Sequence, residues 1–160
     1  MGTNSIPEVT PGAIASLLVE TIVVAADTAA LRREIISSLA SPNFEILEAS
    51  SGPAAIEFCR THEVDLMIAD IQMGAMGAIA VTLELRLEAS YDNLDDVPVL
   101  MLLDRRADVF QAKRSGAQGW VVKPLDAIRL RRATRALLNG ERYEDTSYQP
   151  AVVLVGDDAR

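Results

Sequence analysis

The sequence has little cysteine, few aromatic residues and no surplus of basic residues, and each shortage excludes a class of protein. Its single cysteine, Cys59, cannot form an internal disulfide bond, so the fold needs no oxidising compartment. Aromatic residues make up only 4% of the chain, which disfavours an aromatic-rich β-sandwich core. Lys and Arg number 15 against 23 Asp and Glu, and this net charge of −8 argues against a general nucleic-acid-binding surface.

Long hydrophobic runs are also missing. No segment reaches the roughly 18 consecutive apolar residues of a membrane-spanning helix, and the N-terminus lacks the basic start and apolar stretch of a secretory signal. We therefore expect a cytoplasmic protein with neither a membrane nor a nucleic acid as its partner. The chain is nevertheless 49% apolar over 160 residues, which is enough for one buried core made mostly of aliphatic side chains. Such a core suits a sheet covered by helices.

Three regions differ in composition. Residues 1–18 are rich in Gly, Pro, Thr and Ser without periodicity, which is typical of a flexible leader. Residues 19–140 carry the periodic patterns of one domain. Residues 141–160 form a tail whose apolar run, Ala151–Val155, is expected to dock on a sheet edge or a helix face. The tail is too short for a DNA-binding or enzymatic output domain, so we expect a stand-alone domain.

Short apolar runs alternate with helical patterns five times through the domain. The patterns predict strands at Thr21–Ala25, Phe44–Ala49, Leu66–Ala69, Val97–Leu103 and Gly119–Val122. They predict helices at Ala29–Leu39, Pro53–Thr61, Ala78–Ala89, Ala107–Ser115 and Leu125–Leu138. Five such units indicate an α/β fold: a flavodoxin-like, doubly wound, five-stranded parallel sheet of order 2-1-3-4-5 with five helices.

This strand order predicts a site formed by two carboxylates. Asp27 follows the first predicted strand, and Asp70 comes directly after the third. In a doubly wound sheet, ligands bind at the carboxyl ends of the strands where the strand order reverses, which here lies between strands one and three. We therefore expect Asp27 and Asp70 to face the same crevice.

Three segments resemble the third, fourth and fifth strands of response-regulator receivers: VDLMIADIQMGAMG, PVLMLLD and SGAQGWVVKPLD. The resemblance covers roughly residues 21–139. It implies that Asp70 accepts a phosphoryl group from a histidine kinase or phosphotransfer protein, that Asp27 and Asp70 hold Mg²⁺, and that Lys123 balances the remaining charge. It also implies a cis bond before Pro124.

The chain departs from the receiver pattern at three positions of the site. Ala26 replaces the first of two adjacent acids, so we expect a weak Mg²⁺ site. Leu103 replaces a Thr or Ser whose hydroxyl binds the phosphoryl oxygen, and Asp104 takes the next, usually small, position, where it could repel phosphate or partly replace the missing acid. Trp120 matches the aromatic residue that swings inward on activation, and without the hydroxyl we expect it to respond weakly to Asp70.

Arginines crowd the last predicted helix of an otherwise acidic chain: Arg129, Arg131, Arg132 and Arg135. Such a run is usually a solvated face. In receivers that dimerise through the fourth helix, fifth strand and fifth helix, matching residues form salt bridges between subunits. We therefore predict a weak, salt-sensitive homodimer whose face includes Arg129, Arg132 and Arg135.

These observations leave three functional hypotheses. The first is an atypical receiver in two-component phosphorelay signalling, not an enzyme, with Asp70 as phosphoacceptor and output through binding an unknown downstream protein. The second is a phosphorylation-independent, receiver-like interaction module, which Ala26 and Leu103 favour. The third is a flavodoxin-like enzyme that binds a nucleotide or flavin at the same crevice, although Asp27 would repel a phosphate there.

Overall fold

The computed structural model describes Gly2 and residues 18–147. The second range folds into one parallel sheet covered by helices on both faces. Its strands are β1 Glu20–Ala25, β2 Phe44–Ala49, β3 Leu66–Asp70, β4 Val99–Leu103, β5 Gly119–Val122 and β6 Tyr143–Glu144. Its helices are α1 Ala29–Leu39, α2 Gly52–Thr61, α3 Ala78–Ser90, α4 Asp108–Ser115 and α5 Ala127–Leu138. The strand order is β2-β1-β3-β4-β5-β6, and the predicted flavodoxin-like α/β fold with five helices is confirmed.

The sheet is buried on both faces because its central strands are continuous apolar runs. Every residue of β3 and β4 is buried, and successive side chains alternate between two core clusters. Met67 packs with residues of α2, α3 and α4, whereas Ile68 packs with residues of α1 and α5. Cys59 belongs to the first cluster, and burial raises the pKa of its thiol to about 11, so its role is packing.

Two predicted element boundaries are wrong by two residues. β4 begins at Val99 instead of Val97, because Pro98 has no N–H to contribute to the ladder. α5 begins at Ala127 instead of Leu125, because Asp126 caps the helix by accepting a hydrogen bond from the backbone N of Arg129 at 2.8 Å.

A sixth strand, which the sequence analysis did not predict, lies at the outer edge of β5. Tyr143 pairs with Gly119 and Glu144 with Trp120, both in parallel. A strand of two residues is too short to show an alternating pattern in the sequence. Residues 143–145 of the expected tail therefore bind the edge of the sheet. The apolar run Ala151–Val155 and most of the expected leader lie outside the described residues.

Gly119 makes the close approach of β6 possible, and this generates a test. A methyl group at Gly119 would lie 2.8 Å from the carbonyl oxygen of Tyr143 and 2.8 Å from Cδ1 of Leu137. We expect Gly119→Ala to lower the free energy of unfolding by about 1–3 kcal/mol, measured by chemical denaturation, because the backbone of Tyr143 cannot move without breaking the pairing with β5.

The matched control for this substitution is Gly74→Ala. Its added methyl group would meet nothing closer than Oδ2 of Asp27 at 3.7 Å, an ordinary van der Waals distance. We expect the control to unfold at nearly the denaturant concentration of the original protein. Equal stability of Gly119→Ala and Gly74→Ala would contradict the proposed packing of β6.

Candidate functional site

Asp70 lies at the carboxyl end of β3, where a lysine from beyond β5 binds it. The aspartate is 6% exposed, and its Oδ1 accepts a hydrogen bond from Nζ of Lys123 at 2.6 Å. Lys123 directly follows β5, its backbone N donates to the carbonyl of Leu103 at 2.8 Å, and its bond to Pro124 is cis. The site therefore pairs a buried carboxylate with an inward-directed ammonium group.

The same ammonium group binds a second carboxylate, that of Asp104, with 2.8 Å between Nζ of Lys123 and Oδ1 of Asp104. Burial lowers the pKa of Lys123, but the hydrogen bonds and negative charges of Asp104 and Asp70 outweigh burial and raise this pKa above its ordinary value. Lys123 is therefore a cation shared by two carboxylates. The structure places Asp104 within the site as a partner of the lysine.

Asp27 approaches the loop that follows Asp70. Its two carboxylate oxygens accept hydrogen bonds from the backbone N of Gly74, at 3.1 Å for Oδ1 and 2.9 Å for Oδ2. Thr28, and not Asp27, caps α1, because Oγ1 of Thr28 accepts from the backbone N of Leu31 at 3.3 Å. The exposed Asp27 therefore has no helix-capping role, and its carboxylate binds the backbone of the loop that follows Asp70.

The carboxylates of the crevice do not form a closed metal site. Across residues 18–147, no three His, Cys, Asp or Glu side chains are grouped so that they could hold a metal ion. Ala26 is fully buried where the receiver pattern has an acid, and Asp104 is bound to Lys123. Asp27 and Asp70 remain as carboxylates for a cation, and Mg²⁺ can bind one or two carboxylates together with water and phosphate oxygens.

Leu103 and Trp120 both lie in the core beneath the site. Leu103 is 0% and Trp120 is 1% exposed, and both belong to the cluster on the side of α2, α3 and α4. The indole N–H of Trp120 has no hydrogen-bond partner within the described part of the chain, and the ammonium group of Lys113 lies 5.4 Å from its ring centroid. The aromatic ring is therefore buried in the same core cluster as Leu103, whose side chain offers no hydroxyl.

The arginines of α5 lie in different environments. Arg129 is bound within its own chain, at 2.6 Å from Oδ2 of Asp145. Arg135 lies 3.6 Å from Oε2 of Glu20, whereas Arg132 is exposed. The homodimer face of Arg129, Arg132 and Arg135 stays a prediction, in which Arg129 has little freedom to reach a second subunit. Sequence reasoning missed Asp145, because a single acid in a tail carries no pattern.

Comparisons with known proteins identify the family. The response regulator receiver domain model matches residues 22–135. Chemotaxis protein CheY of Bacillus subtilis is 29% identical over 119 residues, which cover 74% of this chain and 97% of CheY. Heme response regulator HssR of Staphylococcus saprophyticus is 33% identical over 103 residues, which cover 63% of this chain and 42% of HssR. The chain belongs to the response regulator receiver family of two-component signalling.

Solved structures show the same fold. A LuxR-family response regulator from Aurantimonas matches with a TM-score of 0.71 and 22% identity, covering 81% of this chain and 91% of that one. CheY4 of Vibrio cholerae matches with a TM-score of 0.66 and 22% identity, covering 74% and 98%. The chain spans about half the length of the first curated relatives that it matches.

No helix in residues 18–147 is long and apolar enough to cross a membrane.

The shared lysine yields a prediction about its titration. Asp104→Asn removes one of the two negative charges that raise the pKa of Lys123, so we expect this pKa to fall towards its ordinary value. Titration of the Lys123 side-chain nitrogen by ¹⁵N NMR measures the change. Asp108→Asn is the matched control, because Asp108 binds Arg105 at 3.3 Å. An unchanged titration of Lys123 in Asp104→Asn would contradict the shared-cation geometry.

Proposed function

We propose that this receiver is an atypical phosphoacceptor: Asp70 accepts a phosphoryl group from a histidine kinase or phosphotransfer protein, and output occurs by binding a downstream protein. The observation that carries the proposal is the 2.6 Å contact between Asp70 and Lys123 at the carboxyl edge of the sheet. Nucleophile and balancing cation are already in contact there. A buried carboxylate beside a fixed cation is suited to phosphoryl transfer, which depends on positioning and charge stabilisation.

The chemistry requires one free oxygen on Asp70. Oδ1 is bound to Lys123, whereas Oδ2 has no hydrogen bond within the described residues and is the nucleophile in this proposal. Oδ2 attacks the phosphorus, the bond between phosphorus and the donor imidazole breaks, and its electron pair stays on the imidazole nitrogen. The product is an acyl phosphate whose added charge faces Lys123.

Asp104 makes this site less reactive than one with a small residue in its place. An ammonium group has three N–H donors, and Asp70 and Asp104 use two of those on Lys123. The third can reach a phosphoryl oxygen, but the Asp104 carboxylate partly cancels the cation and repels the incoming group. We propose that Asp104 slows phosphorylation.

Mg²⁺ fits this site only loosely. Asp27 and Asp70 would hold the ion, and when bound it would neutralise charge on the phosphoryl group. Ala26 supplies no third carboxylate, and Asp104 is engaged by Lys123. We propose a weak Mg²⁺ site.

The first test of this proposal is labelling of Asp70. Incubation with Mg²⁺ and a small acyl phosphate donor should slowly add one phosphoryl group, seen by mass spectrometry, and Asp70→Asn should abolish it. Ala26→Asp should speed labelling because it restores a metal-binding carboxylate. Ala26→Asn introduces a side chain of the same shape as Asp without its charge, so it should help less. Rapid labelling of the unmodified protein, with no gain in Ala26→Asp, would contradict the proposal.

The second test concerns the response of Trp120. A bound group shifts a conformational equilibrium only by its different interaction with the two states, and Leu103 cannot donate the hydrogen bond that would create this difference. We expect Leu103→Thr to enlarge the change in Trp120 fluorescence when a phosphoryl mimic binds. Leu103→Val has the same shape as the threonine variant without the hydroxyl, so it should keep the small response. Equal responses in the two variants would remove the hydroxyl from the explanation.

The buried Leu103 and Ala26 also favour a second candidate, an interaction module that works without phosphorylation. In that case Asp70→Asn should bind the downstream protein as the original chain does. We also propose the homodimer as one form of output by protein binding. Within its face, the exposed Arg132 is the arginine best placed to reach a second subunit.

A further inference from the structure

The segment after β6 reaches the backbone next to Lys123 through Asp145. The Asp145 side chain is 2% exposed, and its Oδ2 accepts hydrogen bonds from the backbone N of Val122 at 2.9 Å and from Nη1 of Arg129 at 2.6 Å. β6 ends at Glu144, which pairs with Trp120, so no strand residue lies beside Val122 on that edge. The carboxylate of Asp145 therefore accepts a hydrogen bond from the buried N–H of Val122, for which the sheet provides no partner.

Arg129 binds the backbone on both sides of Lys123. Its Nη2 donates to the carbonyl of Pro124 at 2.7 Å, and its Nη1 donates to the carbonyl of Val122 at 3.3 Å. One planar guanidinium group thus binds the carbonyls of the residues before and after the lysine. The backbone N of Lys123 is itself held by the carbonyl of Leu103 at 2.8 Å.

The Asp145–Arg129 pair is ionised in the folded protein. Burial raises the pKa of Asp145, but hydrogen bonds from Ser147 and Val122 and the charge of Arg129 outweigh burial and lower it below its ordinary value. Nη1 of Arg129 also donates to Oγ of Ser147 at 3.0 Å. Asp145 and Ser147 both lie beyond residue 135, where the match to the receiver family model ends.

We propose that Asp145 and Arg129 are positioning residues for Lys123: their ion pair fixes the backbone from which the lysine reaches Asp70. Asp145, which follows β6, then supports the geometry of the site, and β6 itself only covers the sheet edge. This inference rests on the proposed function for the role of Lys123 in phosphorylation, but the fixed backbone is a separate claim.

Asp145→Asn tests the proposal with two readouts, the ¹⁵N NMR signal of the Lys123 side chain and the rate at which a small acyl phosphate donor labels Asp70. We expect the signal to shift and labelling to slow by roughly ten- to a hundredfold, because a misplacement of about 1 Å in a reacting site can cost about a hundredfold. Glu144→Gln is the matched control, because Glu144 is the residue before Asp145. Its side chain is 51% exposed, and its Oε2 lies 3.8 Å from Nζ of Lys113. This control should leave both readouts unchanged.

A second variant covers the outcome that Asp145→Asn does not fold. Arg129→Lys keeps a positive charge for Asp145 but cannot bind the carbonyls of Val122 and Pro124 together, so it should shift the same signal. A folded Asp145→Asn with an unchanged Lys123 signal, or loss of folding in both variants, would overturn the proposal. Should the original protein take up no label, the proposed function fails, and the Lys123 signal still decides whether the ion pair positions the lysine.

Discussion

The candidate site depends on one contact, the ammonium group of Lys123 between two carboxylates. Its Nζ lies 2.6 Å from Asp70 and 2.8 Å from Asp104. Asp70 ends β3, Asp104 follows β4 and Lys123 follows β5, and these three strands are neighbours in the sheet. Parallel neighbours end at the same edge, so the strand order itself brings the three charged groups together.

Much of this arrangement could be predicted from the sequence. Continuous apolar runs identified the strands that are buried on both faces, and the alternation with helices required a parallel sheet. The carboxyl-edge rule then predicted that Asp27 and Asp70 face one crevice, and the resemblance to receivers implied Lys123 at the same place. The structure joins Lys123 to Asp70. The fold prediction succeeds because it depends on the strand order and not on the path of a loop.

The remaining features depend on single side chains or very short elements. Asp104 was recognised as an acid near the site, but the strand order brings it only to the same edge, and its contact with Lys123 depends on a side-chain conformation that no periodicity encodes. β6 spans two residues, and Asp145 stands alone in the tail, so neither forms a pattern. Arg129 looked like part of a charged helix face, although its partner lies 16 residues further along the chain.

In the proposed function, this receiver has Asp70 as nucleophile and Lys123 as cation, and Leu103 provides no hydroxyl to couple them to the core. A crystal structure with Mg²⁺ and beryllium fluoride, a phosphoryl mimic, tests this most directly. We expect the mimic on Asp70, Lys123 bound to both, and Trp120 still buried in the core. A structure in which Lys123 leaves Asp70, or in which the mimic moves Trp120 from its buried position, would contradict it.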